Sequence, residues 1–313
     1  MILVSNNILN NHIKIIDVEM GGFKETCAVY LVGNKEYALI ETGTANSAPI
    51  GLEKMKKLPN FDPNKVKFII PTHIHLDHAG GCGYYAKHFP NATILHHEDT
   101  LKHIIDPERI YSSTVRTDKI MADVFGKPGK INSDRVHIIK NKEIIQMDNI
   151  ELEVIDSPGH HTAHYAFLDR ESNSIFTGDS TGWYWKEYDV ILPTTPPPQY
   201  NPFVYKETIE KFLEINPKSL FFTHYGQSVE VERLLNILIE TSEFWFDTVM
   251  KLRNENADIT PEQAVDYLIE NYYSDFKEYP KNLIKMGFDV PVKGIWLYQE
   301  KNQPNHKLGI RHH

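Results

Sequence analysis

The reading turns on Pro71-Thr72-His73-Ile74-His75-Leu76-Asp77-His78-Ala79-Gly80-Gly81, which follows the apolar run Val66 to Ile70. In an extended segment His73 and His75 project to the same side, because side chains alternate along a strand. Asp77 and His78 follow on the turn into a predicted helix. Three imidazoles and one carboxylate within six residues cannot all enter a core without large desolvation costs. A metal ion offsets those costs, since it takes neutral ring nitrogens and a carboxylate at about 2 Å. The plainer alternative is a solvated polar loop. The apolar strand leading into the segment and the small residues after it argue against that alternative.

Composition narrows the rest. The 313 residues are 41% hydrophobic and 24% charged, which excludes a disordered or fibrous chain. No apolar run approaches the roughly 20 residues that span a bilayer, so no membrane association is expected. The N-terminus opens Met1-Ile2-Leu3-Val4 and turns polar at Ser5, with no basic region before it; a signal peptide is not expected. Two cysteines, Cys27 and Cys82, build no disulfide framework and no cysteine-based metal site, and a cytoplasmic location is the default expectation. A net charge of −9 argues against a nucleic-acid partner, which requires a basic surface. The 16 histidines stand out, because neutral imidazole is the commonest protein metal ligand near neutral pH.

Along the chain, short β-branched and apolar runs predict strands at Cys27 to Val32, Tyr37 to Ile40, Val66 to Ile70 and Thr93 to Leu95. Further strands are expected at Val136 to Ile139, Glu143 to Met147, Ile150 to Ile155 and Leu220 to Thr223, with Asp148-Asn149 as a hairpin turn. Helices are predicted over Ala48 to Lys57, capped by Ser47, over Gly83 to His88, and over Phe203 to Leu213 from an Asn201-Pro202 start. From Val231 to Leu252 apolar residues recur at three- and four-residue steps, the mark of an amphipathic helix. Thr260-Pro261-Glu262-Gln263 reads as a capping box opening a second helix, and a third is expected from Pro280 to Met286. The polar tail from Asn302 is expected to fray. Residues 1–228 therefore read as one catalytic α/β body, and residues 229–313 as a helical extension serving as a lid, a homodimer interface or a packing layer.

Four further segments carry a family resemblance. Ile40-Glu41-Thr42-Gly43, the histidine segment above, Ser157-Pro158-Gly159-His160, Phe176-Thr177-Gly178-Asp179-Ser180 and Phe222-Thr223-His224-Tyr225-Gly226 follow one another in order. The chain thereby resembles the metallo-β-lactamase superfamily over about residues 10 to 230. That resemblance implies a four-layer αβ/βα sandwich with the active site at one edge between two sheets. It also implies two divalent metals, zinc first with iron or manganese as alternatives. His73, His75 and His160 would hold one metal and Asp77, His78 and His224 the other, with Asp179 bridging. The family normally has Asp where Glu41 stands, as a hydrogen-bonding support for the ligand loop. Glu41 is one methylene longer, so its support is expected to be rearranged while the site survives.

The function implied is a dinuclear metal-dependent hydrolase of a small ester-type substrate, whether phosphodiester, lactone, ester or thioester, with a metal-bridging hydroxide as nucleophile. Asp77 and Asp179 are the catalytic carboxylates on this reading. His164, Tyr184 and Tyr225 are candidates to bind an oxyanion or leaving group, and His164 alternatively orients a ligand. The Trp183-Tyr184-Trp185 cluster and the proline-rich loop to Tyr200 are candidate walls of the substrate site or a packed lid. The family's lactonases carry a tyrosine three residues past the bridging Asp, where this chain has Gly182. The alternative activity is that of an iron-dependent oxidoreductase of the same fold, a sulfur dioxygenase or a di-iron oxygen reductase. A fold-retaining sensor or scaffold is the non-enzymatic alternative. Of the remaining histidines, His96, His97 and His12 are expected in structural, packing or solvated roles, and Cys82 as a small buried residue.

Overall fold

The computed structural model describes residues 12–276 and 280–302. The first sheet runs β1 (Ile13–Asp17), β2 (Ala28–Val32), β3 (Tyr37–Ile40), β4 (Val66–Ile70), β5 (Thr93–His96) and β6 (Val136–Ile138) in that spatial order. Between its strands lie α1 (Ala48–Lys56), α2 (Cys82–His88), α3 (Leu101–Ile105), α4 (Glu108–Thr117) and α5 (Lys119–Phe125). Next come β7 (Ile144–Met147), β8 (Ile150–Asp156), β9 (Tyr165–Asp169) and β10 (Ser174–Gly178). The ribbon β11 (Trp183–Trp185) and β12 (Val190–Leu192) and the helix α6 (Pro202–Ile215) follow. They precede β13 (Ser219–Phe222) and β14 (Gly226–Ser228). The second sheet is ordered β14-β13-β10-β9-β8-β7.

Two compact units emerge. The first comprises residues up to Ser157, Ala163–Asp179 and Asn216–Val231, and so contains both six-stranded sheets. Antiparallel pairs begin each sheet, and parallel pairs follow where a helix makes the crossover: β3 with β4 through α1, and β4 with β5 through α2. Its core is the apolar layer shared by the inner faces of the two sheets, with Tyr30, Val32 and Ile40 from one and Leu152, Phe167 and Phe221 from the other. Tyr30 also donates its hydroxyl proton to the Phe222 carbonyl, so a polar bond stitches the sheets beside the future site. Asp148 adopts φ 48° in the two-residue turn joining β7 and β8, the left-handed geometry that turn demands.

The second unit comprises Pro158–Thr162, Ser180–Ile215 and everything from Glu232 onward. The C-terminal helices thus group with two internal segments, Pro158–Thr162 and Ser180–Ile215. Those helices are α7 (Val231–Glu255), α8 (Pro261–Tyr272), α9 (Lys281–Ile284) and α10 (Val290–Asn302). The capping box on α8 is formed as read: Thr260 accepts from Gln263 N–H and Gln263 reaches back to Thr260 N–H. The third helix differs from expectation. Instead of ending at Met286 it passes through a π-helical turn over Lys285–Asp289 into α10. The tail after Asn302 lies outside the described residues.

Two other expectations need correction. Ser47 stands at the start of α1 but its hydroxyl accepts from the Thr44 N–H, not from the helix. The helices α3 to α5 were not expected; α4 buries none of its residues fully and carries Ser112, Ser113, Thr114 and Val115, which are weak helix formers. No helix among the described residues is long and apolar enough to cross a membrane.

Candidate metal centre

The histidine segment lies between β4 and α2. Its chain turns at once, with His78 N–H and Ala79 N–H both donating to the His75 carbonyl. Thr42 grips the turn, its N–H and hydroxyl both donating to the His78 carbonyl at 2.9 and 2.6 Å. Gly81 N–H donates to the Gly43 carbonyl, and a Cβ on Gly81 would meet the Thr42 carbonyl oxygen at 2.3 Å. Only glycine allows that approach of two backbones.

The rings converge. His73 is fully buried, with Nδ1 3.1 Å from the Thr72 hydroxyl and Nε2 2.8 Å from His75 Nδ1. His78 Nδ1 lies 2.8 Å from Glu41 Oε1, which turns Nε2 toward Asp179 Oδ1 at 3.2 Å and Asp77 Oδ2 at 3.8 Å. His224 Nδ1 is held by the Thr26 carbonyl oxygen at 2.7 Å, and its Nε2 lies 3.5 Å from both Asp77 Oδ2 and Asp179 Oδ1. The rings of His73, His78 and His224 are therefore each fixed from behind by an oxygen, the usual way a protein sets the tautomer of a metal-binding histidine.

Glu41 is the hub beneath this arrangement. Its Oε1 receives the Thr72 hydroxyl at 2.7 Å and the Thr223 hydroxyl at 2.8 Å as well as the His78 ring, while Oε2 accepts from Thr72 N–H. The residue is 1% exposed with φ 64°, so its backbone is bent left-handed to bring the longer side chain under the ligands. Sequence reasoning placed Glu41 as a support and missed that it joins two ligand loops.

The electrostatics match a site built for cations. Burial alone would raise the Asp77 carboxyl, but the His78 and His224 rings override it and hold it near 2. Burial likewise opposes charge on His78, yet Asp179, Glu41 and Asp77 push that ring well above the ordinary imidazole range. His224 is raised in the same way by Asp179 and Asp77. Fully buried His78 Nε2 has no hydrogen-bond partner, as expected of a ligand nitrogen facing a metal. Within the first unit, His73, His78 and Asp179 form one group of donor atoms lying within 4.8 Å of one another, and Asp77, His78 and His224 form another. Imidazole nitrogens with carboxylate oxygens in this number suit zinc, iron or manganese. The residues fit the metals the fold implies.

The other candidates fall as follows. Asp179 follows β10, and its N–H donates to His164 Nε2 at 3.2 Å. His164 Nδ1 meets the Ser157 hydroxyl at 2.8 Å and its ring stacks on His73 with centroids 4.7 Å apart. Both nitrogens of His164 are therefore engaged, one with Ser157 and the other with the Asp179 backbone. His160 belongs to the second unit, where its Nδ1 meets the Thr194 carbonyl oxygen at 2.8 Å; that bond makes Nε2 the donor nitrogen. Tyr184, also in the second unit, donates its hydroxyl proton to Asp189, which Arg233 clamps at 2.7 and 3.1 Å. Tyr225 is half-buried against the core, and burial pushes its phenol well up, so it stays protonated at ordinary pH. Burial pushes the Cys82 thiol up to about 12, which rules out a thiolate nucleophile there. His96 meets the Thr100 hydroxyl and His97 accepts from Asp99 N–H, both structural roles.

The profile of the metallo-beta-lactamase superfamily matches residues 23–224. A metallo-beta-lactamase fold-containing protein of Sulfurisphaera tokodaii, ST1585, is 27% identical over 211 residues, covering 65% of this chain and 74% of that protein. The crystal structure of ST1585 aligns with a TM-score of 0.66 at 22% identity, over 91% of this chain and 98% of that one. The hydroxyacylglutathione hydrolase GloC of Haemophilus influenzae is 27% identical over 172 residues, 54% of this chain and 71% of that protein. The N-acyl homoserine lactonase AttM of Agrobacterium fabrum is 30% identical over 124 residues, 39% of this chain and 43% of that protein. With two six-stranded sheets, flanking helices and a His/Asp centre where the profile matches, the chain belongs to the metallo-beta-lactamase superfamily.

Proposed function

We propose that this protein is a dinuclear metal-dependent hydrolase of a small ester-type substrate. The observation that carries the reading is the buried donor set around His78: carboxylates of Asp77 and Asp179 within reach of His78 and His224 nitrogens, with every ring braced from outside. On the motif resemblance alone, His73, His75 and His160 would hold one ion, and Asp77, His78 and His224 would hold the other with Asp179 shared. Two such ions supply hydroxide at neutral pH and polarise the oxygen of the bond to be broken. Asp179, fixed through its N–H to His164, holds the nucleophile's proton on a carboxylate oxygen and passes it to the leaving group. His78 and His224 keep their protonated nitrogens turned away, so neither competes for that proton.

Relatives named as a hydroxyacylglutathione hydrolase and a homoserine lactonase favour acyl substrates, thioester or lactone, above phosphodiesters. The test is a panel of one thioester, one lactone and bis-p-nitrophenyl phosphate assayed on the wild type and on His73→Ala and Asp179→Ala. Turnover of an acyl substrate that falls by about 10²-fold or more in both variants supports the reading. Turnover unchanged by either substitution overturns it.

A further inference from the structure

The loop joining β1 to β2 is tied to the ligand loops by three consecutive residues. The Thr26 carbonyl receives His224 Nδ1 at 2.7 Å. The Cys27 thiol donates to the Asp77 carbonyl oxygen at 3.7 Å, a sulfur hydrogen-bond distance. Ala28 N–H donates to the Thr223 carbonyl oxygen at 2.8 Å. Two of the three residues in the Asp77, His78 and His224 group are thus held by one short stretch of chain, through the Thr26 carbonyl and the Cys27 thiol.

The loop itself is braced, not slack. The Thr26 hydroxyl bridges it internally, donating to the carbonyls of Phe23 at 2.8 Å and Met20 at 3.1 Å. Val18 N–H closes its base on the Cys27 carbonyl. Glu19 and Glu25 both adopt left-handed φ, 52° and 56°, and the Asp17 carboxylate receives the N–H of each. From α1, Lys54 clasps the outside: its ammonium donates to the Asp17 carbonyl and to Glu19 Oε1, both at 2.7 Å. Left-handed non-glycine residues persist only where surrounding bonds over-determine them. Here those bonds all converge on fixing the Thr26 carbonyl.

We infer that residues 18–27 form a strap that positions His224 and Asp77, with Thr26 and Lys54 as positioning residues that set the affinity of one metal position independently of the other. The inference rests on the dinuclear reading above for its metal readout, but not for its second readout, the tautomer of His224 in metal-free protein. The carbonyl of Thr26 fixes the proton on Nδ1 and so presents Nε2 to the carboxylates. Loosening the strap frees the ring to exchange tautomers.

The experiment compares wild type, Thr26→Val, Thr26→Ser and Lys54→Met. The imidazole ¹⁵N shifts of His224 are recorded without metal at alkaline pH, where the ring carries a single proton, and are assigned by their loss in His224→Gln; cobalt(II) is then titrated. Thr26→Val is expected to mix the tautomers of His224 and to weaken one cobalt position about 10- to 100-fold while the other moves by less than about threefold. Thr26→Ser, which keeps the hydroxyl, should match wild type, and Lys54→Met should shift both readouts in the same direction. If Thr26→Val does not fold, Lys54→Met alone decides. A single Nδ1-protonated His224 in both variants overturns the strap, as does equal weakening of both positions in step with a lower Tm. A wild type that binds only one cobalt removes the dinuclear reading, and the tautomer then decides the strap alone.

Discussion

Glu41 Oε1 lies 2.8 Å from His78 Nδ1 and 2.8 Å from the Thr223 hydroxyl, so one buried oxygen braces a metal-binding ring and the loop that carries His224. The two braced residues are far apart in sequence and are brought together by their shared contact with Glu41, which follows β3. Glu41→Asp, which installs the residue common in this family, shortens the side chain by one methylene and cannot span all its partners from the same left-handed backbone. Metal affinity or activity should fall about 10- to 100-fold. Metal titration of this variant checks it, and wild-type affinity would show that the hub is dispensable.

Ion binding should release protons. In the metal-free protein burial opposes charge on His78 and His224, but the facing carboxylates raise both rings, so each holds its second proton to a higher pH than a free imidazole does. An incoming ion displaces those protons, and affinity must fall as pH falls. Calorimetry in buffers of different ionisation enthalpy should report release of about one proton or more per chain at pH 7. No release at pH 7 would show the rings already neutral.

A second shifted histidine, not foreseen, lies away from the candidate metal centre. His12 was expected to be solvated or merely packed, yet its Nε2 lies 2.7 Å from the fully buried Asp169 carboxylate. That hydrogen bond raises the ring from 6.5 against the opposing effect of burial, with further help from the charges of Asp169 and Glu171. Because the folded value is the higher one, the stabilisation is complete below about pH 6.5 and is lost as pH rises through the folded value. His12→Gln should cost about 1–2 kcal/mol at pH 6 and less at pH 9. Urea midpoints across that range check it, and a pH-independent difference would contradict it.

Gly83 in α2 touches the backbone of Gly129, and a Cβ there would meet the Gly129 carbonyl oxygen at 2.2 Å. Two backbones must part to admit a methyl group, so Gly83→Ala should lower stability by about 1–3 kcal/mol. Thermal unfolding of the variant tests this; an unchanged Tm would mean that the α2 packing yields freely.

Much of this was legible in the sequence, for identifiable reasons. Strands such as Tyr37–Ile40 and Val66–Ile70 are largely apolar runs, the second broken only by Lys67, and their bounds were read to the residue. The His73 segment announces itself because histidines two apart at a strand end have few roles other than ligation. Two apolar strands, β1 and β9, went unread although they carry such runs, and the rest of what escaped lacks that pattern. The three-residue strands β11, β12 and β14 are shorter than any repeat. The Thr26 carbonyl that holds His224 is backbone, which carries no side-chain signature. Glu41 meets Thr223 across 182 residues, a contact that only folding creates.

The central claim is a two-metal centre, and its most direct test is metal analysis of the purified protein alongside His73→Ala and His224→Ala. The account predicts two divalent ions per chain in the wild type, with each variant losing an ion from a different position and both losing hydrolysis. One iron per chain, with oxygen uptake on a persulfide and no hydrolysis, would contradict it.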